Sequence, residues 1–121
     1  MFYPELKDLF ENFTVDGVSI PVALINYDGG ATQYVVYREY DKDKSYSSED
    51  NVSGYVTYFD FDIYSKSNFL AIAKAVKSKL MSSGWIYQPS RESPDMYDTD
   101  TGYFHKTLCF AKPIQIIDDQ S

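Results

Sequence analysis

Two stretches of the chain place apolar residues at helical spacing. Residues 3–13 carry one apolar stripe, and Pro4 suits the first turn of a helix. The segment SKSNFLAIAKAVKSKLMSSGW carries a longer stripe of the same period, and Gly84 supplies a stop signal. The stripe residues are Leu6, Leu9, Phe10 and Phe13 in the first stretch, and Phe69, Ile72, Ala73, Val76 and Leu80 in the second. Each predicted helix therefore packs through one face.

Other stretches alternate apolar and polar residues, which is the period of a half-buried strand. In YVTYFDFDIY, the residues Phe59, Phe61 and Ile63 share one face, whereas Asp60, Asp62 and Tyr64 share the other. Further strands are predicted over residues 18–25, 32–40, 85–88 and 103–112. This order predicts an α+β domain, with a mostly antiparallel sheet, one long helix packed on a face and a short N-terminal helix.

A polar stretch, DKDKSYSSEDNVSG, separates two of these predicted strands. It spans residues 41–54, contains almost no aliphatic side chain and is long for a hairpin connection. We therefore predict a flexible loop there, and a frayed tail over residues 118–121. Residues 1–121, with this loop and tail included, are predicted to form a single domain.

Composition narrows the classes of function. The net charge of −7 opposes binding to phosphates, so a protein that grips nucleic acid is not expected. The 12 tyrosines suit half-buried sheets and protein interfaces. With Cys109 as the single cysteine, no internal disulfide can form. The start of the chain lacks the pattern of a signal peptide, and no apolar stretch reaches the ~20 residues that span a bilayer. A protein made in the cytosol is expected.

The segment DTDTGYFHKTLCF offers a candidate metal loop. Asp98, Asp100 and Gly102 resemble the start of a calcium loop, but glycine comes at the fifth position rather than the sixth, and the twelfth position is Cys109. Aspartate and threonine also accept local backbone hydrogen bonds, and glycine tolerates a left-handed backbone. The prediction is a turn that leads into a strand, without a bound metal.

Two further pairs of residues have chemical potential. Asp60 and Asp62 point to the same face of a predicted strand, where paired carboxylates can transfer protons or hold a cation. His105 and Cys109 share a face of another strand, but two ligands are too few for structural zinc and a catalytic pair would need a third group. Because convergent groups are lacking, neither pair predicts a catalytic site.

Other motifs are weaker still. Asp28-Gly29-Gly30 is too short to cradle a phosphate and predicts a turn, and no nucleophile elbow, P-loop or zinc-protease motif occurs. Aromatic residues on a sheet can stack with nucleic-acid bases, but here they are interleaved with acids. We therefore expect no enzyme, cofactor or catalytic residue.

The order of these segments resembles the tail-completion proteins of long-tailed bacteriophages, also called tail terminators or tail-to-head joining proteins. In that family an aromatic-rich strand precedes a basic-faced helix, a glycine-aromatic step ends the helix, and a D-T-G segment leads to a closing strand. The matching residues here are Asp62-Ile63-Tyr64-Ser65, Gly84-Trp85, Asp100-Thr101-Gly102, His105-Lys106 and Phe110. The resemblance covers nearly the whole chain, with its weight on residues 60–110.

This resemblance implies a tube-like fold and a homo-oligomeric ring, expected to be a hexamer, at the head-tail interface of the virion. Such a ring caps the tail tube, stops its elongation, contacts the tube and head-tail connector proteins, and lets DNA pass without specific binding. We hypothesise that four acids of the polar stretch line the lumen or the docking surface: Asp41, Asp43, Glu49 and Asp50. Lys42 and Lys44 partly cancel their charge.

Three alternatives remain at this stage. Another neck protein, such as a head-completion or connector protein, would have a similar sequence. A small acidic metal protein or enzyme would use Asp60, Asp62, Asp98 and Asp100. The third alternative is a regulatory binding module without affinity for tail tubes.

Overall fold

A computed structural model describes residues 3–47, 52–67 and 69–115 of the chain. Its elements in chain order are α1 Tyr3–Leu9, β1 Thr14–Val15, β2 Val18–Ser19, β3 Val22–Leu24, β4 Gln33–Ser47, β5 Val52–Ser65, α2 Phe69–Met81, β6 Ile86–Tyr87, a 3₁₀ helix Pro89–Arg91, β7 Met96–Asp98 and β8 Tyr103–Gln115. The fold is α+β with a mostly antiparallel sheet and one long helix, as the sequence predicts.

The main sheet contains six strands within the described residues. Its order is β3-β4-β5-β8-β6, and β7 also pairs with β8. All of these pairings are antiparallel except that of β3 with β4. Strands β1 and β2 form a separate small hairpin. The long strands β4, β5 and β8 therefore form the middle of the sheet, and short strands flank them.

One face of the sheet packs against α2 and α1 to form the core. Phe59, Phe61 and Ile63 of β5 are almost completely buried on this face, as the alternation predicted. The helix α2 buries the predicted stripe of Phe69, Ile72, Ala73, Val76 and Leu80. Gly84 adopts φ +88°, a left-handed backbone that glycine favours, and Trp85 then returns into the core.

The predicted loop over residues 41–54 is wrong where the structure describes it. Residues 41–47 belong to β4 and residues 52–54 to β5, with Asp41 opposite Tyr58 and Ser47 opposite Val52. Backbone hydrogen bonds between the facing edges of the two strands hold this polar sequence in a ladder, although it contains almost no aliphatic side chain. The register shifts after Glu39, after Lys44 and after Tyr46. The residues between the strands, 48–51, and the predicted frayed tail, 118–121, lie outside the described residues.

Other boundaries also differ from the prediction. The predicted strand over residues 18–25 is divided into β2 and β3 at Ile20-Pro21, because proline has no backbone N–H for a ladder. The first helix ends at Leu9 rather than at residue 13, and Asn12 follows with φ +57°. Strand β7 was not predicted, since its three residues lie between prolines and turn formers.

Candidate interaction face

The sheet face opposite the core carries polar and aromatic residues, and we call it the polar face. Its members lie on the three long strands at positions that alternate with the core residues. They are Tyr34, Val36 and Arg38 on β4, Tyr58, Asp60, Asp62 and Tyr64 on β5, and Tyr103, His105, Thr107, Cys109 and Ala111 on β8. Four residues that the sequence marked for possible chemistry, Asp60, Asp62, His105 and Cys109, therefore lie on the same face of the sheet.

A row of stacked rings crosses the polar face. Tyr34, Tyr64 and His105 occupy directly opposite positions on β4, β5 and β8. The ring centroids of Tyr34 and Tyr64 are 5.0 Å apart, and those of Tyr64 and His105 are 4.3 Å apart with nearly parallel planes. Tyr27, from the connection between β3 and β4, extends the row at 4.6 Å from Tyr34. Cross-strand aromatic pairs of this kind stabilise a sheet and fix its register.

Asp62 lies beside this row and makes two polar contacts. Its Oδ1 accepts a hydrogen bond of 2.6 Å from the Thr107 hydroxyl and lies 3.6 Å from His105 Nε2. Burial by itself would raise the pKa of Asp62, but His105, Thr107 and the positive charge of Arg38 together lower it below its usual value. Asp62 therefore remains ionised within a largely buried cluster.

The pKa of Asp60 shifts in the opposite direction, although Asp60 lies only two residues away on the same strand. Burial and the negative charge of Asp62 raise the pKa of Asp60, and Arg38 opposes the shift only in part. The geometry thus provides a carboxyl with a raised pKa beside one with a lowered pKa, as in many acid–base pairs. Both polar partners of Asp62, Thr107 and His105, lie on the adjacent strand, so their contacts with Asp62 connect β5 to β8.

Cys109 and His105 are not brought together. They lie four residues apart on β8, and each strand residue advances about 3.3 Å. Cys109 is fully buried, and burial together with the charge of Asp60 raises the pKa of its thiol to about 11. Since the thiolate is the nucleophilic form, this environment disfavours a reactive cysteine at neutral pH.

The Asp98–Gly102 segment forms the predicted turn. The Asp98 carboxylate accepts a hydrogen bond of 2.9 Å from the Asp100 backbone N–H, and the Asp98 carbonyl accepts one of 2.7 Å from that of Gly102. Gly102 has φ +78°, in the left-handed region that favours glycine. The turn joins β7 to β8 and places Asp98 directly opposite Tyr103. The turn interpretation of this segment is therefore confirmed.

Of the four acids proposed for the lumen or the docking surface, two lie on a described strand. Asp41 and Asp43 occupy β4 positions opposite Tyr58 and Val56, and Lys42 and Lys44 occupy the intervening positions. Glu49 and Asp50 lie outside the described residues.

We expect the two carboxyls of β5 to affect stability with opposite signs. Asp62→Asn should lower the free energy of unfolding at pH 7 by about 1–2 kcal/mol, because an amide is a weaker acceptor than a carboxylate. The folded-state pKa of Asp62 is lowered, so its contribution is present above the ordinary carboxyl pKa of about 4 and is lost as pH falls through the folded pKa. The deficit of the variant should therefore shrink below about pH 4 in urea unfolding at a series of pH values.

Asp60→Asn is the matched control for this experiment. Because the folded-state pKa of Asp60 is raised, its ionisation opposes folding as pH rises through that pKa. As pH rises from below about 4 to 7, Asp60→Asn should therefore gain stability relative to the wild type. Equal pH profiles for the two variants would contradict the opposed environments described above.

The sequence alone did not identify the tyrosine row. Its members come from the β3–β4 connection and two long strands, and only the register of β4 against β5 brings Tyr27, Tyr34 and Tyr64 together. The available signal was the high tyrosine content and the polar-face position of Tyr64. The partners of Tyr64 depend on strand pairing that periodicity does not specify.

Comparisons with known proteins give no family assignment: no protein-family model matches the chain, and no curated protein matches it significantly. In the described part of the chain, no cluster of three or more His, Cys, Asp or Glu side chains has the arrangement of a metal site. Neither α1 nor α2, the α-helices of the described ranges, is long and apolar enough to cross a membrane.

Proposed function

We propose that this chain is a structural virion protein that caps the tail tube of a long-tailed bacteriophage, stops its elongation and joins tail to head. In this proposal the chain acts as a ring, with six copies, and has no enzymatic activity or cofactor. The ring contacts the tail tube protein on one side and the head-tail connector on the other, and DNA passes through it without specific binding. Its location is the head-tail interface of the virion.

The outer edge of β4 is the observation that carries the proposal. Strand β3 covers this edge only from Val35 to Tyr37, and beyond Tyr37 no other described strand pairs with it up to Ser47. A long strand edge exposes unpaired backbone groups that bind another chain, and proteins that remain monomeric usually shorten or cover it. A head-to-tail ring covers the same edge on every copy, because its interface is heterologous and closes on itself.

The segments that carry the resemblance to tail-completion proteins also contact one another in the structure. Tyr64, from the β5 segment, lies opposite His105 on β8, and Ile63 lies opposite Lys106. Gly84-Trp85 ends α2 and returns the chain to the same core. Segments that are distant in sequence therefore meet in one layer of the fold.

The acids of the β4–β5 hairpin give the proposal a specific surface. Asp41 and Asp43 belong to β4 and lie opposite Tyr58 and Val56 of β5. We infer that Asp41, Asp43, Glu49 and Asp50 line the lumen or the docking surface. Negative charge at a lumen repels the DNA backbone and so permits sliding.

The test is electron microscopy of lysates from the parent phage with this gene disrupted. Filled heads beside unjoined tails, some of abnormal length, are expected. Tails of normal length that fail to attach would move the assignment to another neck protein. Intact infectious particles would overturn the proposal.

Complementation in the same strain tests the four acids. A plasmid copy with Asp41→Asn, Asp43→Asn, Glu49→Gln and Asp50→Asn should restore fewer infectious particles than the wild-type gene. The matched control neutralises four acids of the first seventeen residues, Glu5, Asp8, Glu11 and Asp16, and so changes the net charge equally. Equal rescue by the two variants would exclude a special role for the hairpin acids.

A further inference from the structure

The exposed large apolar side chains of the main sheet lie at its two lateral ends rather than on its polar face. At one end are Leu24 of β3 and Ile25, which follows it, and at the other end are Ile86 of β6 and Met96 and Tyr97 of β7. These five side chains are 39–63% exposed. The rings of the polar face, in contrast, are half-buried. The apolar surface that the sheet leaves open is therefore lateral.

We call these two regions the β3 end and the β6–β7 end, and both adjoin strand backbone without a partner strand. The Ile25 backbone N–H donates to the Tyr37 carbonyl at 2.9 Å, at the point where β3 ceases to cover the edge of β4. Strands β6 and β7 lie outermost beside β8, and no other described strand pairs with them. Each end thus combines exposed apolar side chains with an open strand edge, which is typical of surfaces that bind another chain.

Ile25 is the most exposed of the five side chains and has an unfavourable backbone. Its φ is +69°, and the Asn26 backbone N–H donates to the Leu24 carbonyl at 2.7 Å, which makes a strained γ-turn around Ile25. A branched side chain is rare at such a φ, because its Cβ crowds the backbone. At 63% exposure, Ile25 gains little from burial within its own chain. Strained residues of this kind are concentrated at functional surfaces.

The two ends present apolar side chains on the same two sides of the sheet. On the polar-face side, Ile86 and Met96 lie opposite polar-face residues of β8, and Ile25 lines a polar-face cavity of about 160 Å³. On the core side, Leu24 lies opposite a buried tyrosine of β4, and Tyr97 lies opposite a phenylalanine of β8 that stacks on α2. A second copy beside the first in the same orientation would therefore bring apolar side chains together on both sides.

Charge distinguishes the ways in which two copies can meet. The β6–β7 end carries the exposed Asp98 and Asp100, so a contact between two such ends would bring like charges together. The β3 end carries the exposed Asp28 and Arg38, whose charges cancel in sum. A contact between unlike ends adds no net repulsion, and one interface of this kind covers both ends on every copy of a closed ring.

We propose that the β3 end of one copy of this chain binds the β6–β7 end of the next copy. In this contact Ile25 packs against Ile86 and Met96, and Leu24 packs against Tyr97. The inference rests on the proposed ring and assigns the surfaces through which its copies meet. The interface is heterologous, so the sheets of successive copies lie side by side around the ring.

Cross-linking of the full chain tests the pairing of the ends. A copy with Ile25→Cys and a copy with Met96→Cys should be joined by a short bis-maleimide reagent when they are mixed, whereas neither variant alone should give a cross-linked dimer. The native Cys109 should not react, because it is fully buried. Leu70→Cys, at an exposed residue of α2, replaces Met96→Cys as the matched control and should not be joined to Ile25→Cys. Dimers of Ile25→Cys alone, or equal cross-linking to Leu70→Cys, would overturn the proposal.

Ile25→Asn separates the contact from the stability of the chain. Asparagine adopts a left-handed backbone more readily than isoleucine, so the variant should unfold at a higher temperature than the wild type. Because the apolar side chain is lost, self-association measured by sedimentation should weaken about tenfold or more. Leu70→Asn, which removes an equally apolar exposed side chain, should change association by less than about twofold. Unchanged association of Ile25→Asn would contradict the assigned contact.

Failure of this contact is distinguishable from failure of the proposed ring. A purified chain that forms six-copy rings in light scattering, without a cross-link between the two cysteine variants, would overturn the assigned surfaces and retain the ring. Cross-links in a chain whose disrupted gene still gives intact infectious particles would retain the contact and overturn the virion role. A chain that stays monomeric and without cross-links up to about 1 mM would overturn the contact.

Discussion

Replacing Phe61 with alanine is expected to lower the free energy of unfolding by about 3–5 kcal/mol, the usual cost of removing a buried phenylalanine ring. Phe61 is completely buried at the centre of β5. Its ring meets Phe110 and Trp85 edge to face, with centroid distances of 5.7 and 6.3 Å, and lies 5.7 Å from Tyr37. The neighbours belong to separate elements, so they cannot close the cavity without moving strands.

Urea unfolding followed by tryptophan fluorescence measures this change, since Trp85 lies within the same cluster. The loss approaches the whole stability of many small domains, so the variant is expected to be marginally folded at 25 °C. Leu70→Ala is the control, because Leu70 is 58% exposed on α2 and alanine favours a helix. Leu70→Ala should change stability by less than about 0.5 kcal/mol. A similarly small change for Phe61→Ala would contradict the packing described for the core.

Replacing Lys106 with methionine is expected to lower the free energy of unfolding by about 2–3 kcal/mol. Lys106 is 7% exposed, and its Nζ lies 2.7 Å from Asp95 Oδ1 and 2.8 Å from Glu92 Oε2. Nζ also donates to the Ser93 carbonyl at 3.3 Å. Methionine retains the apolar stem but leaves these acceptors, which connect residues 92–95 to β8, without their ammonium. Burial by itself would lower the pKa of Lys106, but Asp95 and Glu92 together raise it.

Lys77→Met is the matched control for the burial of the lysine, because Lys77 pairs with the same Glu92 but is more exposed. Its Nζ lies 3.3 Å from Glu92 Oε1, and its side chain is 32% exposed. Ion pairs of this kind contribute about 0–1 kcal/mol, so Lys77→Met should be much milder than Lys106→Met in thermal and urea unfolding. If the two substitutions cost the same, the buried lysine would have no special role in holding the 92–95 segment.

The stripe of α2 and the core face of β5 were predictable because each depends on the chain's own periodicity. Phe69, Ile72 and Leu80 repeat at the helical period, and Phe59 and Phe61 at the strand period. The loop prediction over residues 41–54 failed for a related reason. A polar ladder is held by backbone pairing between β4 and β5, so apolar content carries no signal of it.

The candidate site was predictable only in part. The placement of Asp60 and Asp62 on one face and the Asp98–Gly102 turn both follow from local rules, and the structure has both. The contact between the Tyr34 and Tyr103 rings does not follow from local rules, because it spans the pairings of β4 with β5 and of β5 with β8. Register between strands that are distant in sequence determines which side chains meet, and one chain's periodicity leaves that register open.

The position of β8 in the sheet also constrains how the chain is made. Strand β8 pairs with β5, β6 and β7, and all three precede it in the sequence. During vectorial synthesis, the β4–β5 hairpin and α2 leave the ribosome before Leu108 and Phe110, which complete the core beside Phe61. The nascent chain thus presents an open aromatic layer until residues 103–115 emerge. Completion of the core therefore waits until β8, the last described strand, has left the ribosome.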